Sequence, residues 1–262
     1  MSGSPGQVHY EVRGTTGWVV FDRPEARNAM TFAMYDQFQK AMAAIEDDPS
    51  LRAVVLTGAG ERAFVAGTDI AEFRSIVTDE DALAYEAKID AILDRLERLR
   101  VPTVAALRGA CTGAGVGIAA SCDLRLGSPS AAFGLPIART LGNCLSMGNY
   151  ARLSQLIGAG ALKEVVFSSR LVPAPEAKQM GFLSELVADE GSLLTRAEEL
   201  AGELASRAPL TLWATKEALR RLRQADRLPD GSDLIVGCYL SADFREGREA
   251  FLAKRRAVWT GK

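Results

Sequence analysis

The sequence predicts an α/β protein with a layered core and a helical C-terminal region. Short apolar runs of strand length alternate with helical patterns through the first half of the chain, and from Ser146 onward the pattern is mainly helical. Such alternation is typical of helices packed on a largely parallel sheet. The 262 residues contain no repeat of fixed period, so they fit one large domain with a helical lobe.

The first elements follow from apolar spacing. Residues 8–13 and 18–21 are predicted as two strands joined by a glycine turn. Thr31 is the expected N-cap of a helix whose apolar positions recur every three or four residues. Residues 53–57 form an apolar run that suits a buried strand. Residues 81–100 are predicted as a helix with one apolar stripe, formed by Leu83, Ile89, Leu93, Leu96 and Leu99.

The second half begins with another buried strand, predicted at residues 104–107. A glycine-rich turn and a helix of small residues follow it. Residues 123–126 and 132–133 are predicted as further short strands, and the helical pattern after Ser146 is interrupted at Gly158, Pro173 and Gly181.

Histidine and cysteine usage excludes several kinds of site. His9 is the single histidine of the chain and lies in an alternating run predicted as a strand, so we expect neither a histidine-dependent triad nor a metal site. The cysteines are widely spaced and form no CxxC pair, which favours small buried side chains in a reducing compartment; they are Cys111, Cys122, Cys144 and Cys238.

Charge and hydropathy limit the classes of partner that the chain is expected to have. The net charge of −2 argues against nucleic acid and anionic membrane as partners. No apolar stretch reaches the roughly 18 residues that a membrane span needs. The first residues, MSGSPGQ, lack the basic start and apolar core of a signal peptide. We therefore expect a soluble, cytoplasmic protein.

Two turns rich in small residues carry the chemical signal. One surrounds residues 66–69 after a buried strand, and the other spans residues 108–117, again between strand and helix. Such turns leave backbone N–H groups without intrahelical partners. Two facing turns would place one N–H each on a single oxygen, as in an oxyanion hole. The alternative is a pair of tight turns with close helix packing. Glycines at 113, 115 and 117 do not fit a dinucleotide fingerprint.

Five segments resemble the enoyl-CoA hydratase/isomerase family, the crotonase superfamily. Residues 23–29 (RPEARNA) resemble its RP-x-x-x-NA segment, and residues 66–70 (AGTDI) are similar to its AGADI motif. Residues 109–123 resemble G-x-x-x-GGG…CD, residues 133–136 match F-G-x-P, and residues 246–255 resemble the terminal EG-x-x-AF-x-x-KR. The segments occur in the family's order and cover nearly the whole chain.

The resemblance implies the architecture. It implies a crotonase-like spiral of ββα turns that binds acyl-CoA over residues 1–200, and a helical C-terminal lobe over residues 201–262 that contacts CoA and forms a trimer. It also implies a homotrimer or homohexamer. Coenzyme A is expected as part of the substrate, with no permanently bound cofactor.

The resemblance also assigns site residues. It implies that the backbone N–H groups of Thr68 and Ala114, which stand where the family has Ala and Gly, form the oxyanion hole. The expected substrate- and CoA-binding residues are Arg27, Ala29, Ala66, Asp69, Ile70, Phe251 and Lys254. Simple surface charges remain an alternative for Arg27 and Lys254, and a helix N-cap for Asp69.

One part of the family pattern is missing. Hydratases of this family use two glutamates as base and acid, and the corresponding positions here are Gly117 and Ile137. General acid–base groups contribute about 10²–10⁴-fold each to the rate. Candidate polar replacements are Ser121, Arg139, Thr140, Asn143, Cys144 and Tyr150. For Ser121 a buried helix position is favoured over that role. Arg139 either binds a carboxylate on the acyl group or pairs with an acid of a neighbouring subunit.

Two functions remain open at this point. The resemblance implies a lyase or isomerase of fatty acid metabolism that stabilises an enolate-like intermediate, although the missing glutamates put ordinary hydratase activity in doubt. The alternative is a non-catalytic acyl-CoA-binding protein on the same fold, which would bind CoA thioesters without turnover.

Overall fold

The computed structural model describes residues 5–224 and 232–258. The strands are β1 (Gln7–Arg13), β2 (Thr16–Asp22), β3 (Ala53–Gly58), β4 (Ala63–Val65), β5 (Thr103–Leu107), β6 (Ala110–Thr112), β7 (Leu124–Gly127), β8 (Ala132–Gly134), β9 (Val172–Pro173) and β10 (Glu185–Leu186). The helices are α1 (Phe32–Asp47), α2 (Asp79–Arg98), α3 (Ala114–Ser121), α4 (Ile137–Thr140), α5 (Met147–Ser168), α6 (Ala174–Gln179), α7 (Ser192–Ala205), α8 (Pro209–Gln224), α9 (Ser232–Tyr239) and α10 (Ala242–Leu252).

The strands form two sheets. The larger has six strands in the order β1-β2-β3-β5-β7-β10, and the smaller has four in the order β4-β6-β8-β9. Only the outer pairs β1–β2 and β8–β9 are antiparallel in these two sheets. Successive segments of chain give one strand to each sheet and then a helix, as in β3-β4-α2 and β5-β6-α3. The predicted spiral of ββα turns is therefore confirmed.

Most predicted elements are confirmed, including Thr31 as the N-cap of α1, whose hydroxyl accepts a hydrogen bond from Met34 N at 3.2 Å. The predicted start of α2 at residue 81 is wrong by two residues. Thr78 and Asp81 form a capping box, in which each side chain accepts a hydrogen bond from the other residue's backbone N–H, so α2 begins at Asp79. His9 lies on β1, as predicted, 2.9 Å from the Asp22 carboxylate.

The main core lies between the two sheets and helices α1, α2, α3 and α5. At its centre the Phe21 ring makes edge-on contacts with Phe38 and Phe64, at centroid distances of 5.2 and 5.8 Å. A second cluster covers the other face of the larger sheet, where Trp18 packs with Leu193 of α7. Burial of these large side chains fixes the sheets relative to the helices.

A third apolar cluster brings the C-terminal helices over the loop that follows β4. The Phe73 ring packs against Tyr85, Tyr239 and Phe244 at centroid distances of 5.2, 6.3 and 6.0 Å. The domain boundary expected at residue 200 falls within α7, which runs from Ser192 to Ala205. Across the described ranges, no helix combines the length and the apolar character that crossing a bilayer requires.

Candidate active site

The first small-residue turn is held by the buried side chain of Asn28. Its Oδ1 accepts a hydrogen bond from Arg23 N at 2.9 Å, and its Nδ2 donates to the carbonyls of Ala59 and Ala63 at 3.0 and 2.8 Å. These bonds tie the segment before α1 to the loop between β3 and β4. Asn28 itself has a left-handed backbone, with φ of 57°. The segment can therefore lie alongside residues 66–69.

Met30 then positions the turn from both sides of Thr68. Met30 N donates to the Gly67 carbonyl at 2.8 Å, and Asp69 N donates to the Met30 carbonyl at 2.8 Å. The N–H of Thr68, which lies between these two bonds, has no acceptor among the described residues. It is therefore a fixed donor available to a ligand.

The second turn presents a similar donor at the start of α3. Gly113 is the N-cap of this helix and adopts a φ of 53°, a conformation that favours glycine. Its carbonyl accepts hydrogen bonds from Val116 N and Gly117 N at 3.0 and 3.3 Å. Ala114 is the first helical residue, so its N–H has no intrahelical acceptor.

The two turns lie against each other because glycine permits close backbone contact. A Cβ placed on Gly115 would lie only 2.0 Å from the Val65 carbonyl oxygen, and one on Gly113 would lie 3.3 Å from the Gly67 Cα. Strands β4 and β6, which lead into the two turns, are also neighbours in the smaller sheet. Thr68 and Ala114 consequently border the same space.

That space is a cavity of about 500 Å³. Most of the residues assigned from sequence line it: Arg27, Ala29, Ala66, Thr68, Asp69, Ile70, Ala114, Gly117, Ile137, Arg139, Thr140, Asn143, Cys144 and Phe251. Lys254 is not among the lining residues. It is exposed and lies two residues beyond the end of α10. Ser121 and Tyr150 also lie outside the lining, and Ser121 is a buried residue of α3.

The charged candidates differ in how they are held. Arg27 and Arg139 are exposed and pair with no acidic group of the described residues, so both expected roles of each remain open. The Asp69 carboxylate binds Arg23 at 2.6 Å and accepts a hydrogen bond from Ala71 N at 2.9 Å. Asp69 is thus the N-cap of the short 3-10 helix Ile70–Ser75, and it also lines the cavity.

The positions of the absent glutamates are filled by apolar packing. Ile137 is buried at the start of α4. A Cβ on Gly117 would meet Leu93 Cδ1 at 3.0 Å and the Asn149 Oδ1 at 3.3 Å. Helix α2 therefore packs closely against position 117, which also borders the cavity.

The cysteines are not all buried as predicted. Cys111 and Cys122 are buried, and burial raises the pKa of both thiols. Cys144 and Cys238 are only half-buried. Cys144 lies at the cavity wall, and Cys238 lies on α9. A hydrogen bond from the Cys144 thiol lowers the pKa of Cys238 to about 7.

Two tyrosines surround the side chain of Thr68. Its hydroxyl lies 2.7 Å from the Tyr35 hydroxyl and 2.8 Å from the Tyr85 hydroxyl. Burial raises the pKa of both phenols, so both remain neutral hydrogen-bonding groups. These two hydrogen bonds restrict rotation of the Thr68 side chain and help to hold the residue that carries the first donor.

Sequence reasoning missed one carboxylate at the cavity wall, Glu86. Its residue is only 7% exposed, and Tyr239 donates a hydrogen bond to its Oε1. Burial raises the pKa of Glu86 to about 7, the Tyr239 hydrogen bond partly opposes this rise, and the charge of Asp90 adds to it. The signal in the sequence was a glutamate within the apolar stripe of α2, between Ala82 and Ile89.

The geometry combines two backbone donors, a cavity of about 500 Å³ and one buried carboxyl. Preorganised N–H donors of this kind stabilise negative charge that develops on an oxygen. A carboxyl with a pKa near neutrality can exchange a proton in the same cavity.

Relatives of known name share this sequence and fold. Residues 12–262 match the sequence pattern of a family described as enoyl-CoA hydratase/isomerase. The short-chain-enoyl-CoA hydratase of Clostridium acetobutylicum is 34% identical over 252 residues, which is 95% of each chain. The crystal structure of an enoyl-CoA hydratase/carnithine racemase from Magnetospirillum magneticum superposes with a TM-score of 0.79 at 29% identity, covering 97% of this chain and 96% of that one. Methylmalonyl-CoA decarboxylase in complex with 2-nitronate-propionyl-CoA has a TM-score of 0.88 at 25% identity, covering 97% and 98%.

Proposed function

This chain belongs to the enoyl-CoA hydratase/isomerase family, and on that basis we propose that it is an enzyme that polarises the carbonyl of an acyl-CoA thioester. The backbone N–H groups of Thr68 and Ala114 are the proposed donors to the thioester oxygen. The observation that carries the proposal is the arrangement of these two donors on adjoining turns at one cavity.

The chemistry follows from the nature of a thioester. Its carbonyl conjugates weakly with sulfur, so withdrawal of charge onto oxygen makes the α-carbon enolate-like. Loss of one preorganised donor costs about 3–4 kcal/mol of transition-state stabilisation in other enzymes. Two fixed donors therefore account for a substantial part of a catalysed rate.

The rest of the cavity suits the CoA portion. Arg27 has an exposed guanidinium at the cavity wall, which can bind phosphate oxygens in a bidentate manner. Ala29, Ala66 and Ile70 provide a small, apolar lining for the pantetheine chain, and Phe251 provides an exposed ring near the opening.

The reaction that follows polarisation depends on which groups at the cavity can transfer protons. Gly117 and Ile137 cannot transfer protons, so water addition at the rate of an ordinary hydratase is not expected. An acyl group that carries a carboxylate is a second possibility for the substrate. It is favoured by the unpaired Arg139 at the cavity wall and by the structural likeness to a methylmalonyl-CoA decarboxylase.

The test is a panel of crotonyl-CoA, butyryl-CoA and methylmalonyl-CoA. Binding is measured by titration calorimetry, and turnover by mass spectrometry and by the absorbance of the conjugated thioester. Binding with turnover of at least one thioester supports the proposal. Binding without any turnover would favour the non-catalytic acyl-CoA-binding alternative, and absence of binding would overturn both. Hydration of crotonyl-CoA at ordinary hydratase rates would refute the role given to the missing glutamates.

We also propose that the chain assembles as a homotrimer or homohexamer. Helix α8 has no buried residue, and Leu210, Leu219 and Leu222 are 68%, 53% and 70% exposed on it. Apolar side chains of this size on one helix are typical of a subunit contact. Light scattering that gives the mass of a single chain would contradict this assembly.

A further inference from the structure

Glu86 stands out among the buried titratable groups because it is an ionisable side chain on a helix face that is otherwise apolar. It lies on the buried stripe of α2 between Ala82 and Ile89, and no Lys or Arg of the described residues pairs with it. A buried carboxylate without a cationic partner is costly for stability. Such a group is more often retained at a reaction site than in a core.

The contacts of Glu86 leave one oxygen available. Tyr239 donates to Oε1, and the Tyr239 hydroxyl in turn accepts a hydrogen bond from Asn143 Nδ2 at 3.2 Å. Oε2 has no hydrogen-bond partner among the described residues. One oxygen of the carboxyl is therefore held by a short chain of hydrogen bonds, and the other has no such bond within the described ranges.

The position of Glu86 relates it to the carbonyl donors. Its neighbour Tyr85 contacts the Thr68 hydroxyl at 2.8 Å, and the rings of Tyr85 and Tyr239 lie 6.1 Å apart. Leu93, two turns further along the same face of α2, fills the volume beside Gly117. Helix α2 thus packs against the expected glutamate position and has a carboxyl of its own in the cavity lining.

Phenols, thiols and an acid lie around the carboxyl, and Glu86 also borders a second cavity whose lining includes Arg152 and Arg223. Those that interact electrostatically with Glu86 are Tyr35 of α1, Tyr85 and Asp90 of α2, Cys144 and Tyr150 near the start of α5, and Tyr239 of α9. The pKa of Glu86 rises to about 7, and burial is the largest cause of this rise. At neutral pH the carboxyl is present in both protonation states, as an acid–base group requires.

We propose that Glu86 is the acid–base residue of this site, which removes a proton from the α-carbon of the bound acyl-CoA and returns it. The inference rests on the proposed function of the cavity. The carboxylate of Glu86 takes the α-proton, and the electron pair of the broken C–H bond forms the enolate. Its negative charge resides on the oxygen held by the Thr68 and Ala114 N–H groups. Return of a proton from the Glu86 carboxyl restores the thioester.

The experiment follows exchange of the α-hydrogens of butyryl-CoA in deuterated water by mass spectrometry. Glu86→Gln should lower the exchange rate by on the order of 10²–10⁴-fold. Butyryl-CoA binding, measured by calorimetry on the same variant, should change little. Glu80→Gln is the matched control, because Glu80 is an exposed carboxylate on the same helix outside the cavity lining.

Each outcome separates the inference from the proposed function. Exchange by Glu86→Gln within about threefold of the unchanged protein would overturn the role of Glu86 and leave the carbonyl donors standing. Binding of butyryl-CoA without exchange by the unchanged protein would also overturn it. Absence of binding would instead overturn the proposed function.

A second variant distinguishes proton transfer from a structural role. Glu86→Asp keeps a carboxyl at the cavity, so it should retain more exchange than Glu86→Gln. The exchange rate of the unchanged protein should rise with pH through about 7 and then level off, because only the ionised carboxylate is a base. Equal loss in both variants, or a pH profile that is the same with and without Glu86, would contradict the proposal.

Discussion

The hydroxyl of Tyr239 donates a hydrogen bond to the carboxylate of Glu86, a contact that joins α9 to α2 across 153 residues of sequence. This donor favours the ionised carboxylate and so opposes the rise in the pKa of Glu86 that burial causes. The bond therefore lowers the pH at which Glu86 becomes a base, against the larger effect of burial.

Tyr239→Phe should shift the pH midpoint of α-hydrogen exchange upward. A hydrogen bond to a charged group contributes roughly 1.5 kcal/mol or more, which corresponds to about one pH unit. The measurement is the exchange rate of butyryl-CoA between pH 5 and pH 9 for both proteins. An unchanged midpoint would show that the phenol does not tune Glu86.

Glu86→Gln should change how stability depends on pH. The folded protein raises the pKa of Glu86 from 4.5 to about 7, so Glu86 contributes stability below pH 4.5 that is lost as the pH rises through 7. The glutamine variant lacks this loss. Its stability relative to the unchanged protein should therefore rise between pH 5 and pH 8, by roughly 2–3 kcal/mol. Urea unfolding at both pH values measures the difference, and Glu80→Gln should show no comparable rise.

Gly115→Ala should separate the two turns that carry the donors. Its Cβ would lie 2.0 Å from the Val65 carbonyl oxygen, so the backbone must shift. We expect a loss of about 1–3 kcal/mol in the free energy of unfolding, with weaker binding of butyryl-CoA. Gly160→Ala is the matched control, because this exposed helical glycine has nothing within 4 Å of an added Cβ. That change should be neutral or stabilising by up to about 1 kcal/mol.

Gly117→Glu should not restore hydration of crotonyl-CoA. Ile137 still stands at the second glutamate position, so one added carboxylate does not supply the pair that hydration uses; the added Cβ would also meet Leu93 Cδ1 at 3.0 Å. The rate is followed by loss of the conjugated thioester absorbance. Full hydratase activity of the single variant would show that a second glutamate is not required.

Arg139→Ala should weaken binding of methylmalonyl-CoA about tenfold, or 1.4 kcal/mol, and leave butyryl-CoA binding nearly unchanged. The reason is that Arg139 lies at the cavity wall and pairs with no acid of residues 5–224 and 232–258, so it can bind a carboxylate on the acyl group. Arg27→Ala should weaken both ligands equally, because its proposed partner is the CoA part. A smaller assembly by light scattering after Arg139→Ala would favour the neighbouring-subunit role instead.

Backbone-determined features were the ones that the sequence could predict. The turns at residues 66–69 and 108–117 were visible because small residues between strand and helix have a local meaning. Glu86 was not recognised because its role depends on burial by Tyr239, which lies 153 residues away. The same holds for Asn28, whose bonds to Ala59 and Ala63 form only once the loops are assembled. Capping residues Thr78 and Asp81 were local signals, and the start of α2 was predicted two residues too late because they were overlooked.

The pairing of β4 with β6 has a consequence for how such a protein can change over time. Thr68 follows β4 and Ala114 follows β6, so the pairing of these strands helps to set the gap between the two donors. Glu86 lies on α2, outside that pair of strands. A substitution of the proton-transferring residue can therefore leave the strand pairing beside the donors unchanged.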